Sequence, residues 1–193
     1  MEADDILITG CRVADGTGSE PAPKDILVKG DRIVDVAGSI DAPNAEVFNA
    51  DDLVAAPGFI DIHSHSDYTL PINPKAESKI RQGVTTEVIG MCGGSPAPLN
   101  AETKEQARQS RPELPWNWES FADYLEVLRQ TGIAVNVVPM VGHGTVRGMT
   151  VGQEDRAPTS DELAEMKRLI ARAMDEGAWG LSTGLIYAPS SFS

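Results

Sequence analysis

Two histidines at alternate positions, His63 and His65, follow a short apolar run at residues 59–62. Residues i and i+2 of a β-strand point to the same side, so both imidazoles can reach one point. Imidazole nitrogen is a common zinc ligand, and parallel βα folds place their active sites at the carboxyl ends of strands. The spacing therefore predicts a metal site, against the alternative of a chance pair in a solvated loop.

Cys92 follows a second run, residues 84–91, which is rich in β-branched side chains and ends in a glycine-rich turn. If the two runs are neighbouring parallel strands, the thiol lies at the same edge as the two histidines. A thiolate is a strong zinc ligand, although an isolated free cysteine is often only a buried core residue. Beside the histidine pair we expect ligation, so His63, His65 and Cys92 are the predicted Zn²⁺ ligands.

Three further polar side chains follow the later predicted strands. His143 ends the third strand, and Ser182 and Tyr187 lie at the end of the fourth. We expect all three to line the same mouth and to contact a substrate. The alternatives are a packed polar residue for His143, and a turn with an anchoring tyrosine for Ser182 and Tyr187.

Strands and amphipathic helices alternate after Pro57, which predicts an α/β fold with a mostly parallel sheet. The predicted strands are 59–62, 84–91, 133–141 and 178–186. The predicted helices begin at Asn73, Asn117 and Thr159 and end at Gly83, Gly132 and Gly177. The Pro-rich stretch 93–115 is predicted as a long connection. Because a closed (β/α)₈ barrel needs about 250 residues, we expect residues 57–193 to be the first four βα units of a TIM-like barrel.

Residues 1–56 contain short strands and turns but no helical periodicity. The runs 25–29 and 32–36 are separated only by Gly30-Asp31, which predicts a tight hairpin. We expect this part to be the N-terminal portion of a small β-sandwich.

Composition excludes several classes of protein. The chain has 193 residues, 29 of them acidic and 16 basic, with a formal net charge of −13. A nucleic-acid-binding protein is excluded, because binding the phosphate backbone needs clustered Lys and Arg. The chain has no apolar run of the roughly 18 residues that span a membrane, and residues 1–5 do not resemble a signal peptide. Two cysteines, Cys11 and Cys92, are too few for a disulfide framework. We expect a cytoplasmic protein that binds neither nucleic acid nor membranes.

The run VAAPGFIDIHSH at 54–65 resembles the metal-binding signature of the amidohydrolase superfamily. More narrowly, four blocks are similar to the N-acyl-D-amino-acid deacylases, also called D-aminoacylases. These blocks are 76–86, Cys92-Gly93, 141–143 and 180–187. The resemblance covers almost the whole chain, and four separate blocks are far more specific than His-x-His alone.

The resemblance implies a small β-sandwich, built from both chain termini, on a metal-dependent barrel. It implies that zinc activates water to cleave an N-acyl-D-amino acid into a carboxylate and a D-amino acid. His63 and His65 match the family's first-strand histidines, and Cys92 matches its cysteine ligand. The substrate is accordingly expected to be a small molecule.

Two departures from the family pattern stand out. Met91 replaces the asparagine that commonly precedes the ligand cysteine, and no histidine follows His143. The family's further histidine ligands and its aspartate general base lie on later barrel strands. We therefore expect the chain to be the N-terminal portion only, without a catalytic base and inactive by itself.

Two other functions were weighed. A cyclic amidase such as a dihydroorotase or hydantoinase shares the barrel and the His-x-His pair, but uses a carboxylated lysine on the fourth strand. The last lysine here is Lys167, on the third predicted helix, which favours the deacylase. A non-catalytic fragment or interaction module is the alternative from a different class.

Overall fold

The computed structural model describes residues 5–192, so the acidic residues before Asp5 and the final Ser193 lie outside the described residues. The chain divides into two compact units, with the boundary between Pro57 and Gly58. None of the helices in the described part has the length and apolar character needed to cross a membrane.

The first unit is one five-stranded sheet. Its strands are β1 (Ile6–Val13), β2 (Ala22–Lys29), β3 (Arg32–Ala37), β4 (Glu46–Asn49) and β5 (Val54–Ala55). The order is β3-β2-β1-β4, and β5 pairs with β1 beyond the end of β4. The hairpin predicted at Gly30-Asp31 is confirmed, because Lys29 pairs with Arg32 in an antiparallel ladder.

A second layer, which a sandwich requires, is not present among residues 5–57. The buried core of this unit is small and consists of Cys11, Ile26 and Ala50. Ile33, Val47 and Phe48 remain more than half exposed. The structure therefore shows one β-layer, and the complete sandwich stays a prediction.

The second unit contains the predicted parallel sheet of four strands. These are β6 (Phe59–Asp61), β7 (Val84–Ile89), β8 (Asn136–Gly142) and β9 (Gly180–Ser182). They lie side by side in chain order, and every neighbouring pair is parallel. The helices are α1 (Glu77–Ile80), α2 (Ala101–Ser110), α3 (Phe121–Thr131), α4 (His143–Thr150) and α5 (Ser160–Asp175). This arrangement confirms the α/β class and fits the first part of a TIM-like barrel.

The mostly aliphatic core of this unit contains an aromatic cluster. Trp116, Trp118, Phe121 and Tyr124 are buried, and each ring lies against another. The predicted start of the helix at Asn117 is wrong, because Ser120 caps α3 by accepting the backbone N–H of Asp123. Trp118 precedes the helix and donates its indole N–H to a loop carbonyl.

Helix α2 lies inside the stretch that was predicted as a long connection. Its residues are polar on all sides and none is buried, so no apolar stripe reveals it. Asn100 and Thr103 form a capping box at its start. Pairs spaced i, i+4, such as Gln106 with Glu102, support it at the surface.

Three other predicted bounds differ from the structure. The helix expected from Asn73 to Gly83 is reduced to the single turn of α1, and the strand expected at 178–186 is only β9. His143 was expected to end the third strand but begins α4, because Gly142 is both the last residue of β8 and the helix N-cap. No Ser, Thr, Asp or Asn side chain marks that helix start.

Candidate metal centre

The ends of β6 and β7 bring the three predicted ligands together. One ligand atom each from His63, His65 and Cys92 lies within 4.8 Å of the other two. His63 Nε2 lies 3.1 Å from Cys92 Sγ, and the two imidazole centroids are 5.5 Å apart. Nitrogen and sulfur atoms that bind one tetrahedral zinc, at about 2.1 and about 2.3 Å, are about 3.6 Å apart. The donor types are those of a zinc site and the three atoms lie close enough to share one ion, although the 3.1 Å pair is about 0.5 Å closer than in a tetrahedral site; their assignment as ligands stays a prediction.

A polar network holds the histidine segment. Asp61, the last residue of β6, accepts the backbone N–H of His63 at 3.1 Å and pairs with Lys79 at 2.5 Å. The hydrogen bond from Lys79 lowers the pKa of Asp61, and the His63 N–H adds to this effect. The same bond raises the pKa of Lys79. Both side chains are therefore charged at neutral pH.

The same network includes Glu87, an acidic residue inside β7 that is fully buried. The hydroxyls of Ser64 and Ser66 both donate to Glu87 Oε2. Lys79 Nζ lies 3.6 Å from the same oxygen. Glu87 was not among the predicted site residues, although a carboxylate in the middle of a β-branched strand is a visible signal.

Asp67 joins the segment after β6 to the end of β7. Its buried carboxylate accepts the backbone N–H groups of Gly90 and Tyr68, at 3.1 and 3.2 Å. Tyr124 donates its hydroxyl to the Asp67 carbonyl at 2.9 Å. Burial raises the pKa of Asp67 to about 7, despite the two N–H groups that lower it.

Backbone packing holds the segment around Cys92. A Cβ added at Gly142 would lie 2.5 Å from Gly93 O, and one added at Gly184 would lie 2.2 Å from Cys92 O. Cys92 itself has a left-handed backbone, with φ +57°. Neighbouring strands can approach this turn only because both of those positions are glycine.

Ser182 also belongs to this packing. Its hydroxyl donates to Gly90 O at 2.5 Å and accepts the Gly93 N–H at 3.1 Å, so it bridges the turn that contains Cys92. The side chain is buried. Ser182 therefore has a positioning role that sequence reasoning did not foresee, and its contact with substrate stays a prediction.

The structure places the other two predicted substrate residues differently. Tyr187 lines a cavity of about 460 Å³ together with His65, Met91 and Cys92. His143 begins α4, and its buried Nδ1 has no hydrogen-bond partner within residues 5–192. Burial lowers the pKa of His143, and the nearby Arg147 charge lowers it further. His143 is therefore held in the neutral form, and substrate contact by both residues stays a prediction.

Fold and sequence together establish the family. Residues 46–191 match the amidohydrolase family, and the chain belongs to it. The N-acyl-D-aspartate deacylase of Alcaligenes xylosoxydans xylosoxydans is 41% identical over 133 residues, which are 68% of this chain and 26% of the deacylase. The resemblance to N-acyl-D-amino-acid deacylases is confirmed.

Two solved structures agree with this placement. A D-aminoacylase with a binuclear metal centre superposes with a TM-score of 0.87 at 38% identity, over 98% of this chain and 40% of its own. The N-acyl-D-glutamate deacylase from Bordetella bronchiseptica was solved with zinc and a phosphonate inhibitor. It superposes with a TM-score of 0.86 at 32% identity, over 100% of this chain and 40% of the deacylase. The chain thus spans about a quarter of its matched curated relative and 40% of these structures.

Proposed function

We propose that this chain supplies the first-strand and second-strand ligands of a zinc-dependent N-acyl-D-amino-acid deacylase. The reaction is hydrolysis of the amide bond to a carboxylate and a D-amino acid. The main support is the approach of His63, His65 and Cys92 ligand atoms to within 4.8 Å, in a chain of the amidohydrolase family. In this proposal residues 1–56 are the β-sandwich portion and residues 57–193 the first four βα units.

Each part of the site has a role in this proposal. A divalent metal, when bound, lowers the pKa of a water toward about 7 and polarises a carbonyl. Cys92 supplies the anionic ligand, while Tyr187 and His143 face the substrate and Ser182 orders the Cys92 turn. A carboxylate on a later barrel strand is the general base, so the 193-residue chain alone is expected to be inactive.

A cyclic amidase fits the site less well. That reaction calls for a carboxylated lysine on the fourth strand, and β9 has the sequence Gly-Leu-Ser. Cys92 offers the negative charge that such a lysine would otherwise provide. The described site therefore favours the deacylase.

Metal binding tests the ligand assignment directly. The 193-residue chain, dialysed against Zn²⁺ and analysed by atomic emission, is expected to retain zinc. Cys92→Ser and His63→Ala are each expected to lower zinc affinity at least tenfold. Cys11→Ser is the matched control, because Cys11 is buried in the first unit and its thiol donates to a β2 carbonyl. Equal zinc retention by Cys92→Ser would contradict the assignment.

Turnover tests the reaction. A full-length protein that contains these residues together with the proposed later-strand base is expected to hydrolyse N-acyl-D-amino acids and to spare the L enantiomers. Cys92→Ser should lower turnover in parallel with metal content. Equal rates on both enantiomers would contradict the deacylase proposal without affecting the metal assignment.

A further inference from the structure

Ser64 and Ser66, each next to a histidine, both contact one buried network. His63 and His65 present the predicted ligand atoms, whereas Ser64 and Ser66 donate their hydroxyls to Glu87 Oε2. His65 directly precedes the single 3₁₀ turn Ser66–Tyr68, so the separation of tasks rests on these observed contacts and not on strand alternation. The segment is thus held by the side chains that do not face Cys92.

A third contact holds the same segment near β6. Lys79 Nζ lies 3.6 Å from Glu87 Oε2, 3.4 Å from Ser64 Oγ and 2.5 Å from Asp61 Oδ2. Asp61 in turn accepts the backbone N–H of His63. The network therefore touches positions 61, 63, 64 and 66, on both sides of His63 and next to His65.

Sheet stability alone does not account for Glu87. A buried carboxylate is costly to desolvate, and an apolar side chain at an interior strand position usually stabilises a sheet at least as well. The hydroxyls bound by Glu87 both belong to the histidine segment rather than to the flanking strands. Its other oxygen, Oε1, is buried and has no partner in the described part of the chain. Both hydroxyl hydrogen bonds that Glu87 accepts therefore come from the histidine segment, while Lys79 of α1 supplies the opposite charge.

We propose that Glu87 is a positioning residue for the metal centre. Through Ser64 and Ser66 it fixes the backbone between and beside the histidines, so that both imidazoles meet the Cys92 thiolate. Lys79 balances the buried charge. This proposal rests on the proposed metal site, because it concerns the alignment of the same ligands.

Cobalt binding to the 193-residue chain tests the proposal, with Co²⁺ as the probe. Visible spectra report the thiolate-to-cobalt charge transfer and the coordination geometry, and competition with a chelator gives the affinity. Glu87→Gln keeps the size of the side chain and removes its charge. We expect its Co²⁺ affinity to fall about 10- to 100-fold, with a changed spectrum and unchanged far-ultraviolet circular dichroism.

The serines give an independent route to the same result. The double variant Ser64→Ala, Ser66→Ala is expected to reproduce the effect of Glu87→Gln. Combining all three substitutions should lower the Co²⁺ affinity little further than Glu87→Gln alone. Glu176→Gln is the matched control, since Glu176 is likewise a carboxylate that accepts two hydrogen bonds, in its case from backbone N–H groups at the start of α3. The control should keep the parent affinity and spectrum.

The outcomes separate this proposal from the proposed function. If the unsubstituted chain binds neither Co²⁺ nor Zn²⁺, both proposals are overturned. If it binds metal and Glu87→Gln keeps the same affinity and spectrum, only the positioning role is overturned. If Glu87→Gln fails to fold, the double serine variant provides the test. An unchanged Co²⁺ spectrum of that variant overturns the positioning role.

Discussion

The two strand ends that supply the predicted ligands are held in different ways. After β6, the histidine segment is fixed by side chains with charges, through Asp61, Lys79 and Glu87. After β7, the Cys92 turn is fixed by backbone atoms packed against Gly142 and Gly184. One end therefore depends on electrostatic complementarity and the other on the absence of a methyl group.

This difference predicts distinct sensitivities. A charged network tolerates small changes of volume but responds strongly when one partner is lost, because the remaining charge is buried. A close backbone contact is insensitive to charge but is destroyed by one added carbon atom. Substitutions at each end should therefore have effects of different size and different origin.

The largest effect is expected from Gly142→Ala. The added Cβ would lie 2.5 Å from Gly93 O, while the backbone of Gly142, with φ −86°, suits any residue. Such overpacking costs about 3 kcal/mol. The free energy of unfolding from urea titration measures the loss.

Gly148→Ala is the control for that substitution. Gly148 lies in α4, and an added Cβ meets open space. Alanine is the better helix former, so this variant should gain up to about 1 kcal/mol. A Gly142→Ala protein as stable as the parent would show that the Cys92 turn does not depend on close packing.

A smaller loss is expected from Lys79→Met, which leaves the buried Glu87 without its ammonium partner. Breaking a fully buried pair costs about 3–5 kcal/mol, and the Lys79 side chain is 29% exposed, so we expect about 2 kcal/mol. Thermal unfolding of the variant and the parent measures this loss of stability. Lys104→Met is the control, because Lys104 pairs with the exposed Glu119 and should contribute about 0.5 kcal/mol. Equal losses in the two variants would remove the distinction between buried and surface pairs.

Ser182→Ala tests the bridge across the Cys92 turn. It leaves the Gly90 carbonyl and the Gly93 N–H without this partner, which should cost about 1–2 kcal/mol in urea unfolding. Ser160→Ala, at an exposed position at the start of α5, should change stability by much less. If Ser182→Ala leaves the free energy of unfolding unchanged, the close packing at Gly142 and Gly184 is enough to order the Cys92 turn.

A charge pair outside both strand ends should show the smallest effect and a simple pH dependence. The hydrogen bonds from Arg156 lower the pKa of Glu162 from 4.5 to about 2, and the Thr159 N–H contributes. Because the folded-state pKa is depressed, the stabilisation is present above pH 4.5 and is lost as the pH falls toward 2. Glu162→Gln should lower the melting temperature at pH 7 but hardly at pH 2. A difference in melting temperature between parent and variant that stays constant from pH 7 to pH 2 would contradict the lowered pKa of Glu162. Zinc binding at pH 7 should be unchanged by this substitution.

Local sequence patterns predicted the parts of the molecule that depend on local structure. His63 and His65 follow an apolar run at a spacing of two, and Cys92 follows a β-branched run, so both strand ends were visible. The strand order of the parallel sheet also follows from alternating strands and helices. The three ligand atoms lie within 4.8 Å of one another because the strands that precede them are neighbours in the chain as well as in the sheet.

Contacts between distant residues were not predictable in this way. Ser182 and Gly90 are 92 positions apart, and nothing near Ser182 indicates that its hydroxyl serves another strand. Helix α2 lacks an apolar face, so periodicity missed it, and α4 begins at His143 after a glycine N-cap, so capping rules missed that helix. The role of Glu87 was also not predictable, because it follows from hydrogen bonds with Ser64 and Ser66, which are more than 20 positions away in the sequence.

The left-handed backbone of Cys92 has an evolutionary consequence. For a residue with a Cβ, φ +57° costs about 1–2 kcal/mol relative to glycine, so folding alone favours Cys92→Gly. Selection for stability and selection for the thiol therefore act in opposite directions at this position. In homologues that lack the proposed metal centre, we expect glycine or asparagine to replace this cysteine sooner than the histidines change.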